Sequence, residues 1–197
     1  MPLFEDDTLE GAIRKATAGL GRQRKSEEAL PMHRGFGPYP DGSRIPGTSG
    51  SNISSFDEAR DRVFREFERL AHDHFPAQAR MYDSNVFTQI IPELSAFIRA
   101  QSNGSGELTY SYPNLRAGKV SRRTGDGEVD LEADELTVAV LHAHWINTTP
   151  SPDEISGGRE ITNQPGTDRY AAERIRELFG RNIRFYVYKW NGAYREF

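Results

Sequence analysis

The run Glu135-Leu-Thr-Val-Ala-Val-Leu-His-Ala-His144 constrains this chain more than any other stretch. Its apolar part, Leu136 to Leu141, has acid before it and histidine after it, and a short run bounded in this way reads as a strand buried in a sheet. The run is far shorter than the roughly 18 apolar residues that a membrane crossing needs, and no other stretch approaches that length. The chain must therefore fold around this strand in water, with other elements supplying its neighbours and its cover.

Those elements can be read on either side. Ser55 is an N-cap candidate with Glu58 three residues on, the pattern of a capping box. Phe56, Ala59, Val63, Phe67 and Leu70 then recur at three- and four-residue spacing, predicting an amphipathic helix over residues 56–74 that Pro76 ends. A second, shorter helix is expected over 83–90. Glu93 to Arg99 and Glu107 to Tyr112 read as two strands joined by the turn Asn103-Gly-Ser-Gly. Residues 116–132 are polar and read as an exposed loop, and Asp168 to Phe179 reads as a helix with Ala171, Ile175 and Leu178 on one face and Gly180 as its stop. The closing stretch, residues 183–197, reads as a hairpin turning at Asn191-Gly192. The expected fold class is α+β: a mixed sheet flanked by helices.

With 197 residues the chain is the size of one domain with an extension. Only 36% of the residues are hydrophobic, and the polar first fifty are expected to add little to the core. A short helix over 8–20 is weakened by Gly11 and Gly19, and the Gly/Pro/Ser-rich stretch from Gly21 to Asn52 reads as a linker or surface loop. The expected division is a poorly structured extension over 1–52 and a domain over 53–197. The opening Met1-Pro-Leu-Phe-Glu-Asp-Asp is acidic and lacks an apolar core, so it does not read as a secretory signal. The net charge of −4 argues against a dedicated nucleic-acid binder. The chain has no cysteine, which excludes thiolate nucleophiles and Cys-ligated zinc; any metal must be held by histidine and carboxylate.

Two residues apart on a strand, His142 and His144 point to the same face and can present both imidazoles to one ion. The Pro-rich loop that follows carries Ser151, Asp153 and Glu154, and an oxygen ligand from it would complete a two-His, one-carboxylate site with a position open to water. His72 and His74 are two apart on a helix, so they diverge around its axis and read as surface residues near its C-terminus. His33 falls in the linker-like stretch. The aromatic residues Tyr110, Tyr112, Phe185, Tyr186, Tyr188 and Trp190 read as sheet core rather than a base-stacking platform.

Glu93 at the start of a strand, His142-Ala-His144 at the end of a later one, and Ser151 and Asp153 in the loop beyond resemble the Glu, His-x-His, Ser-x-x-Asp constellation of the JAB/MPN (JAMM-type) metalloproteases. The chain resembles more closely the JAB-like domains at the C-termini of bacterial Rhs-type and other polymorphic toxins, as order and spacing over residues 56–197. The resemblance implies a JAB/MPN-like fold and a zinc ion held by His142, His144 and Asp153. It also implies that Glu93 is the general base, that Ser151 stabilises the oxyanion, and that a peptide or isopeptide bond is hydrolysed. It further implies a protein or peptide substrate, an immunity protein or delivery-apparatus protein as partner, and a toxin or effector that is cytoplasmic in its producer and secreted into a target cell by a dedicated system. Two departures stand out: Trp145 replaces the family's proline after the second histidine, and Ser151-Pro-Asp153 is one residue short. The acid ligand is therefore open among Asp153, Glu154 and Asp168. A metal-dependent nuclease toxin using the same histidines, and a non-catalytic interaction domain on the same scaffold, are the alternative functions.

Overall fold

The computed structural model describes residues 35–84, 91–120, 127–145 and 168–197 in full, and the backbone of 155–156 and 159–160. Its first helix begins where the capping pattern predicts. Ser55 is extended and its hydroxyl accepts from the Glu58 N–H at 3.2 Å, opening α1 (Phe56–His74). Ala59, Val63, Phe67 and Leu70 are all buried, so the predicted stripe is the packed one. Pro76 does not simply stop the chain: it opens a second helix, α2 (Pro76–Asp83), because a residue without an N–H and with a fixed φ suits a first turn. The expected helix over 83–90 lies, past Ser84, outside the described residues.

The strands, in chain order, are β1 (Gly50–Ile53), β2 (Leu94–Ser102), β3 (Leu108–Tyr112), β4 (Arg116–Ala117), β5 (Lys119–Val120), β6 (Gly127–Glu128), β7 (Thr137–Trp145), β8 (Ile155–Ser156), β9 (Arg159–Glu160), β10 (Arg184–Lys189) and β11 (Tyr194–Glu196). The main sheet has the order β1-β3-β2-β7-β10-β11, with β4 also on β2. Its pairs are antiparallel except β7 with β10, which are parallel and are joined through α3 (Asp168–Phe179). The apolar run therefore lies inside the sheet, hydrogen-bonded on both sides.

The pleat sorts the side chains of β2, β7 and β10 into two cores. On one face Leu94, Ala96, Ile98, Leu141, Ala143, Tyr186 and Tyr188 pack with the buried stripe of α1. On the other, Phe97, Val140 and Phe185 pack with Ala172 of α3. The predicted aromatic residues of the sheet are core, with Tyr112, Tyr186, Tyr188 and Trp190 all buried. Helix α3 has the expected limits but a different inner face: Ala172, Ile175 and Phe179 turn inward and Leu178 is 76% exposed. Among the described residues, no helix is long and apolar enough to cross a membrane.

Two stretches read as loops are in fact built into the fold. Phe36, Ile45 and Thr48 are buried, and the expected domain boundary at 52/53 falls within β1, so the packed unit begins before it. A few apolar side chains spaced among glycines and prolines were enough to anchor this segment. Residues 116–132 likewise contribute β4, β5 and β6, and Leu131 packs on the second core.

Candidate metal centre

The end of β7 carries the histidines. His142 lies opposite Ser95 of β2 and Val187 of β10, and its side chain is fully buried. Beyond it the parallel ladder pairs Ala143 with Tyr188 and then Trp145 with Lys189, passing over His144. A bulge of this kind re-aims a side chain at a strand end. Trp145 then ends the strand in the left-handed region at φ 60°. His142 Nε2 and His144 Nε2 are brought to 3.1 Å from each other.

The third group comes from the helix that follows. Asp168 is the first residue of α3, where the helix dipole favours a carboxylate. Its Oδ2 lies 3.3 Å from His142 Nε2 and 3.1 Å from His144 Nε2. Burial alone would push the Asp168 carboxyl up, but the imidazoles of His142 and then His144 outweigh it and hold the group well below the usual carboxylate range.

With Asp168 ionised, no placement of protons on the two imidazoles satisfies all three contacts at once. A ring nitrogen either donates or accepts. If both imidazoles donate to Asp168, the short edge between them joins two donors; if either accepts, it faces the carboxylate with no proton between. A cation among them satisfies all three edges. Ligand atoms about 2.0–2.1 Å from a tetrahedral ion stand about 3.3 Å apart, close to the separations observed. Among the described residues, His142, His144 and Asp168 are the one group of this kind able to hold a metal ion. The other ring nitrogen of His142, Nδ1, is buried with no hydrogen-bond partner among the described residues, where a ligating histidine usually donates to an outer group.

Glu93 stands at the rim rather than in the triangle. Its Oε1 is 3.8 Å from His144 Nε2 and its side chain is 14% exposed, as is that of His144. Two glycines make room for it. Gly118 donates its N–H to the Glu93 carbonyl at 2.9 Å. A Cβ on Gly127 would lie 2.7 Å from Glu93 Cγ, so a side chain there would have to displace the glutamate.

Of the residues expected at the site, His142, His144 and Glu93 are brought together, and Asp168 supplies the carboxylate among the described residues. Ser151, Asp153 and Glu154 lie outside the described residues, as does His33. His72, 3.9 Å from Asp83, and His74, packed edge-on to Phe36 and Tyr39, sit on α1 and take no part. Gly118 and Gly127 were missed because they fall in the stretch read as exposed loop; glycine in a polar stretch carries no sign that a carboxylate packs against it. No family model, curated protein or solved structure matches this chain.

Proposed function

We propose that the chain is a zinc-dependent hydrolase of peptide or isopeptide bonds, with His142, His144 and Asp168 as the metal ligands and Glu93 as the general base. The observation that carries the reading is the triangle of His142 Nε2, His144 Nε2 and Asp168 Oδ2, with edges of 3.1–3.3 Å that protons on the two imidazoles do not all satisfy while Asp168 is ionised. Zinc bound there would lower the pKa of a coordinated water to about 7 and polarise a substrate carbonyl. Glu93 Oε1, beside the triangle and outside it, would take a proton from the attacking water and return it to the leaving nitrogen. Peptide chemistry is preferred over phosphodiester cleavage because the net charge of −4 disfavours a polyanionic substrate.

The finer readings of fold and biology rest on the resemblance to JAB/MPN domains. The order of a strand led by Glu93, a strand ending in His-x-His, a helix opening on an acid and a closing hairpin supports a JAB/MPN-like arrangement of the mixed sheet. The toxin or effector role, with secretion into a target cell and an immunity protein as partner, is proposed on the same ground.

Elemental analysis of the purified protein is the test. About one zinc per chain, lost in His142→Ala and in Asp168→Ala, is expected for a site of three protein ligands. No metal after incubation with zinc would sink the hydrolase and leave His142, His144 and Asp168 as a buried ion-paired cluster in a non-catalytic interaction domain.

A further inference from the structure

We propose that Trp145 is a positioning residue, setting the distance between Glu93 and His144; this rests on the reading of Glu93 as the general base. Trp145 directly follows His144, and its side chain is 1% exposed. Its indole N–H donates to the carbonyl oxygen of Pro92 at 3.1 Å, and Pro92 directly precedes Glu93. One buried hydrogen bond thus joins the side chain that follows the ligand His144 to the main chain that precedes the base Glu93.

The backbone supports this assignment. Trp145 sits at φ 60°, a conformation that a bulky residue adopts only where its surroundings over-determine it. The indole is held by packing against Trp190, with ring centroids 5.8 Å apart, as well as by Pro92. This turn also follows the bulge at which the ladder passes over His144. The strand end is therefore shaped by where the Trp145 ring is anchored, and the anchor is the residue next to Glu93. On the far side, Gly118 binds the Glu93 carbonyl and Gly127 lies flush against its side chain. Glu93 is consequently held at its own carbonyl and at its side chain, and the residue before it is tied to the end of β7 by Trp145.

The experiment reads the contact without metal. On the full chain, the ring 15N and 1H signals of His144 are recorded at one pH for the wild type, E93Q, W145F and W145F/E93Q. Trp145→Phe keeps an aromatic ring against Trp190 and removes the N–H donor together with part of the indole's volume. E93Q is expected to move the His144 signals, because it removes the neighbouring charge. W145F should move them in the same direction, and the double variant should move no further than E93Q. Gly127→Ala, which displaces the same side chain without touching the aromatic core, should reproduce the shift and keeps the test open if W145F does not fold.

Wild-type His144 signals in W145F, or a double variant whose shift is the sum of the single ones, would reduce Trp145 to packing and overturn the inference. An unmoved His144 in E93Q would overturn it too. Titration of the same wild-type sample with cobalt(II), followed by its visible spectrum, tests the metal reading separately. Failure to bind cobalt would sink that reading while leaving the histidine shifts to decide on Trp145.

Discussion

Asp168 Oδ2 lies 3.1 Å from His144 Nε2, so the first residue of α3 reaches back to the end of β7. The crossover helix is thereby aimed at the strand it follows. Zinc should therefore stabilise the wild type and leave Asp168→Asn nearly unmoved. At a hundredfold excess over Kd the gain is about 2.7 kcal/mol. Differential scanning calorimetry with and without zinc measures this. Asp153→Asn gaining as much as wild type would separate the two acids, whereas equal gains in Asp168→Asn would remove Asp168 from the ligand set.

Acid should loosen the entry to β7. Asp134 accepts from Arg99 Nε at 2.5 Å, from the Thr137 hydroxyl at 3.0 Å and from the Leu136 N–H at 3.0 Å. Burial would push its carboxyl up, but these donors together, Arg99 foremost, hold it below the usual value. A depressed folded-state value means stabilisation that is complete above the unfolded value, about pH 4, and is lost as pH falls below it. Urea denaturation across that range should show the gap between wild type and Asp134→Asn closing as pH drops. A gap independent of pH would contradict the assignment.

Two apolar positions should respond oppositely to truncation. Phe67 is fully buried between α1 and the sheet, and Phe67→Ala is expected to cost about 3–5 kcal/mol. Leu178 is 76% exposed, and Leu178→Ser should change stability by no more than about 0.5 kcal/mol. Denaturant midpoints at constant slope read both.

The cap of α1 offers a further stability test. Removing the Ser55 hydroxyl leaves the Glu58 N–H without its acceptor, and Ser55→Ala is expected to cost about 1 kcal/mol. Ser55→Asp, which restores an acceptor, should recover most of it in the same assay.

Periodicity made α1 and β7 legible, because a buried stripe or run must repeat wherever the core repeats. The histidine pair was legible for the same reason: strand spacing alone fixes their common face. Leu178 misled because a three- to four-residue pattern in a short helix fits two neighbouring stripes, and only the position of Phe185 and Val140 decides between 171/175/178 and 172/175/179. Phe36 and Ile45 were hidden by their glycine and proline neighbours, which signal turns but say nothing of what the turns cover. Asp168 was one of three acids within reach by sequence, and what brings it to the histidines is tertiary closure, which no local pattern encodes; Asp153 and Glu154 lie outside the described residues.

The crossover between β7 and β10 gives the ligand triangle a second consequence. His142 and His144 lie before the long connection that ends at residue 168, and Asp168 lies just after it. An ion held by all three would act as a staple across that connection, doing for a cysteine-free chain what a disulfide does elsewhere: restricting the unfolded chain and fastening a helix to its sheet. Chelation would then release α3 from β7 as well as silence the chemistry, and the same three side chains would govern both the endurance of the fold and its activity.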